Sequence, residues 1–208
     1  MFAADPGTAG VFEKTNDHYA GGMSAALDKL LRALAAAGPG MDLSPLIDDI
    51  EALVEDDPEG SRSAVWSFAR DEGMRLRLVG FLGDPRDFDV LAASLADPQL
   101  RATALEGLAN QPDAERVDAV ARTLLDDADP LVRSRAAGMV AFLARPGALE
   151  ALVPLADDPV PHVRMVLGWY LGGMRDRAAE PTLCGLLADP DDQVRAFAAR
   201  GLTRLNRQ

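Results

Sequence analysis

The sequence predicts an all-α fold, a solenoid of antiparallel helix pairs with a helical cap ahead of it. Three observations carry that prediction. An acid, a proline, an aliphatic residue and an arginine recur in "ADPQLR" (96–101), "DDADPLVR" (126–133), "DDPVPHVR" (157–164) and "ADPDDQVR" (188–195). Between recurrences, apolar residues fall at helical spacing in two stretches per period. Sustained alternation of apolar and polar residues, the mark of a half-buried strand, is missing, and aromatics make up only 5% of the chain.

From the start of the chain, residues 1–22 carry Gly, Asp, Thr and Asn with little apolar pattern and are expected to be loose. Residues 23–56 are expected to form an N-terminal helical cap. "MSAALDKLLRALAAAG" (23–38) reads as an amphipathic helix ended by glycine, and "GPGMD" breaks it. "SPLIDDIEALVEDDP" (44–58) reads as a second helix, with Ser44 as its cap and a proline just inside. A solenoid leaves an apolar face open at its end, and these helices would cover it. The solenoid itself is assigned to 57–208, degenerate over 57–83 and regular over 84–208. Within 57–83 two joints compete. One is Asp57-Pro58 with Arg62; the other is Arg75 with Leu76, Leu78 and Leu82, only 26 residues before Arg101. One broken helix or two short ones would satisfy the pattern.

The regular part is anchored by Arg101, Arg133, Arg164 and Arg195, spaced by 32, 31 and 31 residues. One position before each stand Leu100, Val132, Val163 and Val194; three after, Ala104, Ala136, Leu167 and Ala198; seven after, Leu108, Val140, Leu171 and Leu202. These offsets share one face of a helix, here called the A helix of each repeat. A break follows each A helix, and then a second apolar-periodic stretch, the B helix, over roughly 86–96, 113–125, 147–156 and 178–187. Aligning the last leucines (Leu95, Leu124, Leu155, Leu187) puts Leu91, Val120, Ala151 and Leu183 in register. Cys184 then aligns with Ala92, Ala121 and Leu152 and is expected to be an inert buried thiol.

Aspartate followed by proline is a helix start, because the acid accepts from free backbone N–H groups and proline suits the first turn. Asp97, Asp129, Asp158 and Asp189, each followed by proline, are therefore expected to cap the A helices. Asp126 and Asp157, seven residues before their arginines, are expected to pair with the arginine of the same repeat or of the neighbouring one, forming a ladder. The run "DDADP" lacks the glycine and distal glutamate of a calcium loop.

At "DPLVRSRAAGMVAFL", "VPHVRMVLGWYLGGM" and "DPDDQVRAFAARGLTRL" the chain resembles the HEAT repeat family, in particular the short HEAT-like repeats of phycobilin lyases. The resemblance covers residues 84–208 well and 57–83 loosely. It implies a right-handed α-solenoid, a ladder of arginine and aspartate at the joints, B helices along the inner curve, and the binding of other macromolecules. It implies no single activity.

Thirty-three acids against 21 bases give a net charge of -12, which keeps the protein soluble, disfavours nucleic acid and anionic lipid, and suits a partner with a basic surface. One cysteine and a start without basic or apolar signal segments point to the cytoplasm. No stretch is apolar enough to span a membrane. His18 and His162 have no partner set, and zinc spacings, phosphate-cradling glycine loops and nucleophile–base pairs are missing, so neither catalysis nor a cofactor is expected. The exceptions in the repeat alignment are more informative. Five positions after the arginine, where other repeats carry Glu106, Gly138 and Arg200, one carries Trp169. Two positions after it, Val166 and Phe197 replace Thr103 and Arg135. With Met165 and Tyr170 these residues form a candidate protein-binding patch. On the B helices, Asp89, Asp118 and Glu150 are candidates for an acidic inner groove. The leading expectation is a non-catalytic scaffold or adaptor that binds another protein, as a monomer or weak homodimer. The alternatives are an accessory subunit or chaperone of the phycobilin lyase kind, or an inhibitor masking a basic effector. A HEAT-like DNA glycosylase is disfavoured by charge.

Overall fold

A computed structural model describes residues 58–68 and 72–207. The expectations for 1–22 and 23–56, and for His18, lie outside the described residues. The chain divides into two compact units between Leu82 and Gly83. All regular structure in the described residues is helical, and no helix there is long and apolar enough to cross a membrane.

The described part of the first unit is two helices, α1 (Pro58–Phe68) and α2 (Glu72–Leu82), packed on each other. The degenerate segment is thus two short helices, with Pro58 at the start of α1. Ser61 and Val65 on α1 and Met74, Leu76, Leu78 and Val79 on α2 are buried. The Trp66 ring has the guanidinium groups of Arg62 and Arg75 at 5.9 and 5.6 Å.

The second unit alternates B and A helices: α3 (Phe88–Ser94), α4 (Arg101–Leu108), α5 (Ala114–Thr123), α6 (Pro130–Leu143), α7 (Ala148–Leu152), α8 (Pro161–Gly173), α9 (Glu180–Leu186) and α10 (Asp192–Asn206). Turns of 3₁₀ helix extend three of the short B helices, at Pro85–Asp87, Val153–Asp157 and Arg177–Ala179. The A helices α4, α6, α8 and α10 pack in succession, each against its neighbour. The offsets −1, +3 and +7 from the repeat arginine are buried throughout, except that Leu100 and Leu202 are half-buried. Burial of each fully buried valine or leucine at these positions contributes roughly 1.5–3 kcal/mol, less the cost of ordering it.

The B register differs from the expected one by one residue in two repeats. Leu125 and Leu186 are buried, while Leu124 is half-buried and Leu187 is 41% exposed. In consequence Leu183, not Cys184, falls in line with Leu152 and Ala121, and Cys184 is exposed rather than buried.

The joints follow one rule. Each repeat arginine donates to the carbonyl six residues before it: Arg101 Nε to Leu95, and Nη1 of Arg133, Arg164 and Arg195 to Asp127, Asp158 and Asp189, all at 2.7 Å. The remaining donors of Arg101, Arg133 and Arg164 reach forward to the carboxylate at that same place in the next repeat. Arg101 Nη1 meets Asp127 Oδ2 at 2.8 Å. Arg133 closes a two-pronged contact on Asp158, Nε to Oδ2 at 2.7 Å and Nη2 to Oδ1 at 2.9 Å, and Arg164 repeats it on Asp189 with the same distances. The ladder expected from the sequence is there, and it joins neighbouring repeats. Its acids are Asp127, Asp158 and Asp189, whereas Asp126 and Asp157 are exposed one residue too early to reach the arginine.

Capping is likewise more divided than expected. Only Asp129 is both followed by proline and the N-cap of its helix, accepting from the Leu131 N–H at 2.8 Å. Asp97, Asp158 and Asp189 each accept from the N–H two residues on and so tighten the turn ahead of the helix. For α10 the cap is Asp191, which accepts from Gln193 and Val194. Asp129→Ala should lower stability by about 1 kcal/mol, and Asp126→Ala should leave it within about 0.5 kcal/mol of the parent. Urea denaturation of the two variants measures the difference; equal losses would refute the division of labour between these acids.

Candidate functional site

The A helices present a surface whose character changes from repeat to repeat at one recurring contact. At two of the joints the residue five after one repeat arginine meets the residue two after the next. Between α4 and α6 this contact is an ion pair, Glu106 with Arg135. Between α8 and α10 it is aromatic: Trp169 and Phe197 pack edge to face with centroids 6.2 Å apart. Trp169 is 41% exposed, with the Arg204 guanidinium 4.2 Å above its ring, and Arg200 stands 5.1 Å from the Phe197 ring. The structure therefore brings Trp169 and Phe197 together and adds two guanidinium groups that close over them. Met165, Val166 and Tyr170 are half-buried on the same helix, α8.

Tyr170 leads into a second feature. Gly138 on α6 makes room for it, since a Cβ there would stand 2.7 Å from the Tyr170 hydroxyl. Beside it opens a groove of about 460 Å³ along α4 and α6. Its walls are Leu105, Ala109, Val117, Met139, Phe142, Leu143 and Tyr170, with Glu106, Arg135 and Asn110 as polar members. Phe142 is 87% exposed, by far the most open large apolar side chain among the described residues. The sequence offers a signal for it. At nine residues past the arginine the other repeats carry Asn110, Gly173 and Arg204, so Phe142 is an exception like Trp169 but lies beyond the offsets compared above.

The B face is less uniform than an acidic groove requires. Asp89 is exposed and paired with Arg116 at 2.6 Å, and the Arg116 guanidinium lies 3.8 Å over the Phe88 ring. Glu150 is exposed. Asp118, expected to face outward, is instead buried at 8% exposure. It shares a face with the buried Val117 and Ala121, and its Oδ2 accepts from Arg122 Nε at 2.7 Å. Arg122 also donates to the carbonyls of Gly147 and Pro146, closing the gap to the next repeat. The second Asp118 oxygen is buried without a partner. His162 is exposed in the first turn of α8. Among the described residues no group of three or more His, Cys, Asp or Glu side chains is placed to hold a metal ion.

Stacked helix pairs tied by a joint ladder define an α-helical repeat solenoid. The family model described as HEAT repeats matches residues 88–172 and that described as HEAT repeat matches 181–208; the chain belongs to the HEAT repeat family. A deoxyhypusine hydroxylase from Gallus gallus is 41% identical over 80 residues, which is 38% of this chain and 27% of the hydroxylase. The chain thus spans little more than a quarter of that relative. Among solved structures, a designed armadillo repeat protein superimposes with a TM-score of 0.52 at 18% identity, over 86% of this chain and all of the other. Human deoxyhypusine hydroxylase in complex with glycerol superimposes with a TM-score of 0.45 at 16% identity, over 88% of this chain and 89% of that one.

Proposed function

We propose that the chain is a non-catalytic scaffold that holds another protein on the surface of its A helices, with the groove beside Phe142 as the anchoring site. The observation that carries this reading is Phe142 itself. An aromatic ring 87% open to water costs solubility and gains nothing for the fold, and it borders an apolar groove large enough for one or two partner side chains. Membership of a repeat family whose members commonly bind proteins supports the same reading.

The test is Phe142→Ser, with retention of partners from the native cell compared by mass spectrometry. Because the ring is exposed, the melting temperature should stay within about 1–2 °C of the parent. The principal partner should be lost or weakened at least roughly tenfold, the usual scale for an aromatic anchor. Unchanged retention by a folded variant removes the groove from the proposal.

A second reading is favoured by one comparison. Likeness over 80 residues to a deoxyhypusine hydroxylase supports an enzymatic ancestry, and with it a catalytic role. Incubation with a deoxyhypusine-bearing protein decides between them: hydroxylated product would replace the scaffold reading.

A further inference from the structure

Phe142 is both a projection and a wall. Its ring is 87% exposed, while no other large apolar side chain of the described residues exceeds 43%. It also lines the groove beside it, together with Leu105, Met139 and Tyr170. A protruding ring and a hollow fit for such a ring thus share one patch. The A helices on either side of α6, α4 and α8, are both in place, so a missing repeat does not account for the opening. The backbone beneath the ring is settled as well. α6 ends at Ala144, whose left-handed conformation (φ 45°, ψ 39°) lets its N–H close the last turn on the Val140 carbonyl at 3.1 Å. A ring carried on a closed turn loses less freedom on docking than one on a frayed end.

Charge narrows what can reach this patch. Two copies of a chain of net charge -12 repel each other, so a contact between them has to fall where that charge is balanced. Here it is. α6 and α8 carry no acid at all. The charged members of the groove, Glu106 and Arg135, pair with each other. Next along the chain, Glu115 and Arg145 stand 4.0 Å apart, which leaves Asp113, the cap of α5, as the nearest acid in sequence outside an ion pair. A contact about a two-fold axis matches a patch with itself after half a turn, so it needs a projection beside a hollow and both signs of charge. This patch supplies Phe142 beside the groove and Glu106 beside Arg135.

We propose that two copies of the chain associate face to face through this patch, the Phe142 ring of each seated in the groove of the other. This rests on the reading of the groove as a protein-docking site, and it adds the regulation of that site: the second copy covers the groove, and an outside partner has to displace it. With one ring and one small groove on each side, the dimer is weak and reversible.

Sedimentation equilibrium of the purified full chain, from about 1 µM to about 1 mM, reads the association with no partner present. The parent should pass from monomer to dimer and go no further. Phe142→Ser removes the ring, and Ala109→Trp fills the groove from an exposed position. Each alone should raise the dissociation constant of the dimer at least about tenfold with helicity intact. One variant keeps a groove and the other keeps a ring, so the two mixed should associate more tightly than either by itself. The proposal is overturned by a parent that stays monomeric, which leaves the groove to an outside partner, or by assembly that continues past the dimer. An unchanged dissociation constant for Phe142→Ser, or no gain on mixing, overturns it equally. A monomeric parent whose Phe142→Ser variant still loses its cellular partners discards the dimer and keeps the docking reading; a dimer broken by Phe142→Ser with its cellular partners unchanged does the reverse.

Discussion

Arg133→Ala should lower the unfolding free energy by about 3–5 kcal/mol, the range for breaking a buried pair from one side. The side chains of Arg133 and Asp158 are 11% and 4% exposed, so removal of the guanidinium strands a charged oxygen pair away from water. Asp158 accepts two bonds from Arg133 and one from the Val160 N–H, and only the last survives the substitution. Arg133→Lys should recover little, because an ammonium cannot make the two-pronged contact. Arg195→Ala is the internal control: without a carboxylate in its fork, its loss should cost roughly 1 kcal/mol. Equal losses at 133 and 195 would show that the ladder adds nothing beyond its bonds to backbone.

The same pair carries a pH signature. Burial pulls the Asp158 carboxyl upward, but the Arg133 hydrogen bonds, the Val160 N–H and the charges of Arg133 and Arg164 outweigh it and hold it below the ordinary aspartate value. At Asp189 the Arg164 hydrogen bonds dominate and act in the same direction, against a smaller effect of burial. A folded-state value below the unfolded one means that, near pH 4, the unfolded chain binds more protons. The ladder's contribution is therefore complete above the unfolded value of about 3.9 and is lost as pH falls through the lower folded values. Urea midpoints measured from pH 6 down to pH 3 should fall steeply for the parent and less steeply for Arg133→Ala/Arg164→Ala. Parallel slopes would contradict the assignment.

The A helices were legible because the arginine fixes their register and four repeats vote on each offset. The B helices were not, for a physical reason visible at residues 124–125 and 186–187. Two leucines stand side by side in each, and either can be taken as the last buried one. A slip of one residue turns a helix by about 100°, enough to move Cys184 from the core to the surface and Asp118 from the surface to the core. The doubled aspartates at 126–127 and 157–158 hide the ladder acid in the same way until they are counted from the arginine, six residues back. Trp169 and Phe197 could be named from sequence as exceptions. That they touch follows only from the stacking of α8 on α10.

Gly172→Ala should lower the melting temperature by roughly 4–10 °C, corresponding to about 1–3 kcal/mol in a chain of this size. Helix propensity alone predicts the opposite, since alanine is favoured over glycine by about 1 kcal/mol in a helix interior. Contact between main chains decides the sign. On α8, Gly168 and Gly172 face Ala198 and Gly201 of α10, and a Cβ on Gly172 would stand 2.5 Å from the Gly201 carbonyl oxygen and 2.8 Å from its carbon. A Cβ on Gly201 would meet the Gly168 carbonyl oxygen and stand 2.9 Å from Leu183 Cδ2. A side chain at Gly138 meets only Tyr170, which can swing aside; here the obstacle is backbone on both helices, and the helices themselves must part. Parting them would also pull Trp169 from Phe197. Gly185 on α9 has no atom within 4 Å of its would-be Cβ, so Gly185→Ala should raise stability by about 0.4–1 kcal/mol. The two substitutions are chemically the same and should move calorimetric melting in opposite directions. A rise for both would mean that α8 and α10 do not approach closely enough to require glycine.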